Sequence, residues 1–410
     1  MGSARRPRAR QEGKRKVREI GRGDRRPGKA PGAQGKAATA ACAPRGRTAR
    51  ALAACLCLAA GLVPACAALA KGDLNVLNWS DYISPATLAD FGRAEGVNVN
   101  YATLDSDDTL QAKLLTGHSG YDVVYPSSTY LAKQISAGLY EEIDWSRIPN
   151  RVNLDPLLLK KLAEQDPGNR YGVPYVWGTD GIIVNVARAR RALGKDAPLD
   201  SWDLMLKPEV ASKLHECGLS MLDAASDVFP IVLAYMGRDP NSRNPADYRD
   251  AYEVLRKVRP YIDQFSSNAI NDVAGGDICA AMSWSGDAGM IRQRIRQARQ
   301  NFEVRYVTPA GQTPLWFTLM AIPRDAPNKD NAYRWIDRML DVKVAAQNTD
   351  AITYSTPVPA ARALVRPELA ADPTIFPSED EVAGFFVFDP IDPPLMSLIT
   401  KLWLKFKAGH

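Results

Sequence analysis

Regular patterning begins at residues 74–77, where apolar and polar positions alternate as in a short strand. Ser84 and Pro85 then read as an N-cap and a first-turn proline for a helix over about 86–94, which carries Leu88 and Phe91 on one face and is closed by Gly96. Val97, Val99 and Tyr101 alternate as a second strand. Ser106 and Asp107 cap a helix bearing Leu110 and Leu114 that Gly117 stops. Residues 121–125 form a third strand, followed by a helix presenting Leu131 and Ile135. Strand and helix alternating in this way predict a parallel sheet covered on both faces.

Residues 171–185 are apolar almost throughout, with Pro174 near the start and Gly178 and Gly181 as flexible points, and are expected to be an extended crossing into a second domain. A helical segment opening at Ser201, a buried strand over 219–222 and helices over 228–236 and 247–258 follow. Residues 277–287 then read as a second buried strand that ends in Trp284, Ser285, Gly286 and Asp287. Residues 304–307 are expected to be a strand returning to the first domain, and 315–323 another. The helix over 331–340 presents Trp335, Ile336 and Met339 and reads as core, and the tail holds Tyr354, Phe388 and a terminal helix with Leu398, Leu402 and Phe406.

Two strand ends carry chemistry. Asn78, Trp79, Ser80, Asp81 and Tyr82 place an indole, a hydroxyl, a carboxylate and a phenol on the loop after the first strand. In an open α/β sheet such loops lie where ligands bind. Taken alone, the stretch reads more readily as an ordinary loop with a half-buried tryptophan and a solvated aspartate. The recurrence of Trp, Ser, Gly and Asp at 284–287, and the hydroxyl-rich loop with Ser127 and Thr129 after the third strand, tip the balance toward a site. Indole and phenol faces suit a cation or an alkyl chain.

Composition changes the picture at the N-terminus. The 410 residues are 46% apolar and 24% charged, which allows two domains with separate cores. Residues 1–50 hold 16 Lys and Arg against Glu12, Glu19 and Asp24, a net +13; with +6 for the whole chain, the remainder carries −7. The functional part is therefore acidic. The 1–50 stretch is expected to be disordered or to precede the true start. Residues 51–70 read as the hydrophobic region and cleavage site of a signal peptide, the site falling before Lys71, which implies export to the periplasm. Lipid anchoring at Cys66 is the less favoured alternative, because Pro64 stands awkwardly in the lipobox-like Val63 to Cys66. Cys42, Cys55, Cys57 and Cys66 belong to the leader, leaving Cys217 and Cys279 either to pair, as two cysteines of an exported chain usually do, or to remain buried thiols.

Much catalytic chemistry is missing. His118, His215 and His410 match no metal spacing, and no phosphate-binding glycine loop, Walker lysine or nucleophile elbow occurs. Neither a cofactor nor a metal is expected, and no nucleic-acid partner once the basic leader is removed. Reversible capture of a cation fits better than catalysis.

The strings NWSDYISP at 78–85, GYDVVYPSS at 120–128, LDSWDLMLKPE at 199–209, GGDIC at 275–279 and WSGD at 284–287 resemble the periplasmic polyamine-binding proteins of ABC importers, and within them the putrescine-binding branch. The likeness runs from about 73 to 408. It implies the type II periplasmic binding protein fold, two α/β lobes joined by crossing strands around a ligand cleft, with residues 71–176 and 300–352 in lobe 1 and 177–299 and 353–410 in lobe 2. It implies a disulfide between Cys217 and Cys279. By the same resemblance, Trp79, Trp284, Tyr82 and Tyr354 form an aromatic box, Ser80, Asp81 and Ser127 make polar contacts, and Asp287 anchors an ammonium. Asp227 stands where the branch has glutamate, Thr318 where it has a second anchoring aspartate, and Trp316 and Phe388 enlarge the walls. Asp180 stands in place of a threonine and would restore the lost charge if it points into the cleft. The implied protein is a monomeric, non-enzymatic receptor that delivers putrescine, or else agmatine or spermidine, to an inner-membrane permease. The alternatives are a polyamine sensor acting on a membrane receptor, a receptor for another cationic solute, and, least favoured, an enzyme acting on an amine.

Overall fold

The computed structural model describes residues 72–104 and 106–409. The basic stretch 1–50, the expected signal region 51–70 and the four leader cysteines lie outside the described residues.

Strand β1 (Asp73–Trp79) lies between β2 (Asn98–Leu104) and β3 (Val123–Val124), parallel to both. Leu74, Val76 and Leu77 are fully buried. The helix Pro85–Glu95 covers the sheet with Phe91 and ends where Gly96 takes a left-handed φ of 64° and returns its N–H to the Gly92 carbonyl. Ser106 caps the helix Asp107–Leu115, its Oγ accepting from the Thr109 N–H at 3.1 Å. The expected third strand is reduced to two residues.

A second sheet is built on β4 (Val173–Asn185), together with β5 (Leu219–Met221), β6 (Gln264–Phe265), β7 (Ala280–Trp284), β8 (Val304–Val307), β9 (Pro314–Met320) and β10 (Phe386–Val387). All 13 residues of β4 are buried, which is why the stretch shows no polar alternation. From Val173 to Thr179 it pairs antiparallel with β9. From Asp180 onward it pairs with β7, and over 182–185 with β8 as well. One strand therefore passes from one lobe into the other, changing partner between Thr179 and Asp180.

Side-chain packing sorts the chain into two lobes. The first holds Leu74, Tyr125, Tyr175 and Trp335, with Leu77, Trp177 and Phe317 beneath the other face of its sheet. The second holds Trp202, Met221, Phe229 and Met282, extended by Ile183, Ile291 and Tyr306. Two expected boundaries differ from this packing. Residues 304–307 do not return to the first lobe; they pair with β4 beyond its change of partner, and Val304 and Tyr306 bury against Ile291. Of the tail assigned to the second lobe, Tyr354 to Ile375 and Val382 to Val387 pack into the first, whereas Ile391 and the helix Pro393–Ala408, with Ile399, Trp403 and Phe406, pack into the second.

Cys217 and Cys279 are joined, tying the end of the helix Pro208–His215 to the start of β7. Their separation of 62 positions corresponds to about 4 kcal/mol on the chain-entropy model.

Candidate functional site

The change of partner within β4 sets the geometry of the site. It places Asp180 opposite Trp284 on β7 and Gly178 opposite Trp316 on β9. A Cβ on Gly178 would lie 2.4 Å from the Trp316 ring, so this close approach requires glycine. The indole held there donates its Nε1–H to Asp180 Oδ1 at 2.9 Å.

Two further carboxyls sit in the first turns of helices. Asp227 opens the helix Ala225–Tyr235 and Asp287 opens Ser285–Gln297, immediately after β7. The positive end of each helix favours a negative charge there. Burial acts against it. Asp227 is pushed up to about 6 by burial, opposed by the Ser226 hydroxyl at 2.8 Å and by Trp284. Asp287 is likewise raised to about 6 by burial, opposed by the Ser283 hydroxyl and the Trp284 backbone. Asp180, with no exposed surface, is driven well above the carboxylate range by burial and then by the negative charge of Asp227; the Trp316 bond opposes this, and the charge of Asp287 adds to it. Asp227 and Asp287 thus act on Asp180 as like charges. Among the described residues none of the three forms an ion pair. Nor is any group of three His, Cys, Asp or Glu among the described residues placed to hold a metal ion.

Aromatic rings form the wall beside them. The Tyr354 ring centre lies 5.2 Å from Tyr82 and 5.5 Å from Trp316, and Tyr82 lies 6.5 Å from Tyr175. Burial raises the Tyr82 phenol above its usual range, against hydrogen bonds to Thr318 and Tyr354 and with the charge of Asp287. Thr353 takes a left-handed φ of 59°, and its Oγ1 donates to the Gly286 carbonyl at 3.1 Å. This presses Tyr354 onto Gly286, where a Cβ would lie 2.2 Å from the ring. Gly286→Ala is expected to displace Tyr354 and cost about 1–3 kcal/mol of stability, read from the denaturant midpoint. A variant as stable as the parent would contradict this packing.

The other predicted residues divide. Trp79 is fixed by its Nε1–H to the Tyr125 carbonyl at 2.9 Å. Ser127 bridges to Thr318 across the strands, and its N–H donates to Asp107 Oδ1 at 2.9 Å; burial pushes Asp107 up to about 6. Trp79, Tyr82, Ser127, Thr318, Trp316 and Tyr354 thus line the first lobe, and Asp227, Trp284 and Asp287 the second. Ser80 and Asp81 are exposed, and the Asp81 charge acts on Tyr101. Phe388 is buried with its ring 5.7 Å from Phe386 and its carbonyl accepting from Gln165. Three neighbours were not singled out from sequence. Tyr306 donates to the Thr179 carbonyl at 2.7 Å, Tyr175 donates to the Tyr82 carbonyl at 2.8 Å, and Ser283 bonds Asp287. The four-residue spacing of Ser283 and Asp287 was the only local signal among them.

Comparison with known proteins bears on this geometry. Residues 86–377 match the family model described as bacterial extracellular solute-binding protein. The chain is 42% identical over 338 residues, 82% of its length and 91% of the relative's, to the putrescine-binding periplasmic protein PotF of Escherichia coli. It is 38% identical over 341 residues, 83% of its length and 93% of the relative's, to a putrescine/agmatine-binding protein of Pseudomonas aeruginosa. Among solved structures, the spermidine/putrescine ABC transporter substrate-binding protein PotD of Streptococcus pneumoniae superposes with a TM-score of 0.72 at 28% identity, covering 83% of this chain and 99% of that one. The expected two-lobe binding protein fold is the fold of this chain.

Proposed function

Because the chain belongs to the bacterial extracellular solute-binding proteins, a family of transport components and not of enzymes, we propose that it captures a diamine or polyamine, putrescine foremost, and delivers it to an ABC importer. The observation that carries this reading is the set of acids formed by the buried Asp180 and Asp287 and the half-buried Asp227, without ion-pair partners among the described residues, beside the wall of Trp316, Tyr354 and Tyr82. A diamine is two ammonium groups on an apolar spacer. Carboxylates bind the ends and ring faces pack along the middle.

In this reading Asp287 anchors one ammonium and Asp227 serves the same lobe. Trp79, Trp284, Trp316, Tyr82 and Tyr354 enclose the spacer, and Ser127 and Thr318 supply hydroxyls. Ser80, Asp81 and Phe388 stand at the margin. The lobes close about the strands that cross between them. Residues 51–70 serve as the export signal, and the protein works in the periplasm, as the relatives' names state for them.

The test is a thermal-shift panel on the purified protein with putrescine, cadaverine, spermidine, spermine and agmatine, with neutral amino acids as controls. A ligand that binds the folded form raises the melting temperature. A rise with one or more amines and none with the controls is expected. Silence across the amines would refute the reading.

A further inference from the structure

Asp180 is the least explained side chain in the molecule. It has no exposed surface, yet it sits at the point where β4 leaves β9 for β7, and Oδ2 has no hydrogen-bond partner among the described residues. A buried polar atom left without a partner is costly, and a buried carboxylate without a counter-charge more so. The groups that face it are all acidic or neutral. Trp316 from β9 donates to Oδ1; Asp227 and Asp287 face it from the two helix N-termini; Tyr306 from β8 and Tyr354 both lie within its field.

No cation among the described residues pairs with Asp180, so a proton or a cationic ligand must neutralise it. We propose that Asp180 is the second charge anchor of the site: neutral in the free protein, it gives up its carboxyl proton to solvent when a dication enters, and Oδ2 then accepts from the ligand's far cationic nitrogen. This rests on the cation-binding reading of the site. The acid O–H bond breaks, the proton passes to buffer, and the carboxylate charge is balanced by the incoming ammonium. Burial and the neighbouring negative charges favour the protonated form of Asp180, whereas Asp227 and Asp287 are raised only to about 6. Thr318 supplies no charge on the first lobe, and Asp180 supplies one where β4 leaves it.

The inference predicts discrimination. A diamine gains from Asp180, and a monoamine of the same chain length does not.

Calorimetry of putrescine binding at about pH 7.5, in two buffers of different ionisation enthalpy, counts the protons released. The wild-type protein is expected to release about one proton per putrescine bound. Asp180→Asn, which keeps the acceptor for Trp316 and mimics the neutral acid, is expected to release none. It should also bind putrescine at least tenfold more weakly and lose most of the preference over butylamine. Putrescine binding by the wild type without proton release, or equal affinity in the variant, would overturn the role of Asp180 while leaving the cation site standing. No diamine binding by the wild type would overturn both. Should the variant fail to fold, the proton count on the wild type still decides.

Discussion

Asp287→Asn is expected to weaken putrescine binding by roughly ten- to a hundredfold, because a hydrogen bond to a charged partner contributes about 1.5–3 kcal/mol. Asp287 is buried and held by Ser283 at the start of the helix Ser285–Gln297, so its carboxyl cannot swing away to solvent. Asparagine keeps an acceptor for the Ser283 hydroxyl and removes only the charge. The free protein should therefore unfold at the same denaturant concentration or a slightly higher one. A calorimetric dissociation constant unchanged from the parent would show that the ammonium is anchored elsewhere.

The second large effect is pH dependence, and its sign differs between the free and the bound protein. Asp107, Asp227 and Asp287 are each raised to about 6 by burial, and Asp180 further. An acid whose folded value lies above its unfolded value stabilises the fold at low pH and loses that contribution as pH rises through the folded value. These groups should therefore make the free protein more stable as pH falls from 7 toward 5. Amine binding needs Asp227 and Asp287 ionised, and at pH 5 each is about one-tenth ionised, so these two acids alone lower affinity by roughly a hundredfold between pH 8 and pH 5, and the proton that Asp180 must release steepens the fall. Melting curves with and without putrescine across this range would record the free protein rising and the ligand-induced shift shrinking. A shift that is constant with pH would contradict the assignment.

The local elements were legible because their signals are short-range. Ser84 with Pro85, Gly96 and Ser106 mark helix ends that the structure has in those places. The resemblance of 284–287 to 79–82 marked two strand ends, and β1 and β7 do end there, at Trp79 and Trp284. What sequence could not convey is pairing between distant segments. β4 is apolar along its whole length, and nothing in its periodicity marks Thr179 and Asp180 as the place where β9 gives way to β7. For the same reason residues 304–307 read as returning to the first lobe, although their partners are 182–185. The tail from 354 to 387 shows only that it is apolar at intervals, and the lobe it packs against depends on β10 joining β9. Within 79–82, Asp81 takes a left-handed φ of 56° and is exposed, which neither residue type nor spacing conveys. Asp180 stood out in sequence only as a residue that would matter if it pointed inward. Its bond from Trp316 gives it that place.

The most direct test of a dication site built from acids and rings is one calorimetric comparison on the purified protein, putrescine against butylamine at neutral pH. The two share an apolar chain of the same length and differ by one ammonium. One-to-one binding of putrescine, at least tenfold tighter than butylamine, is the expected result. Equal affinity for the two, or no binding of either, would contradict it.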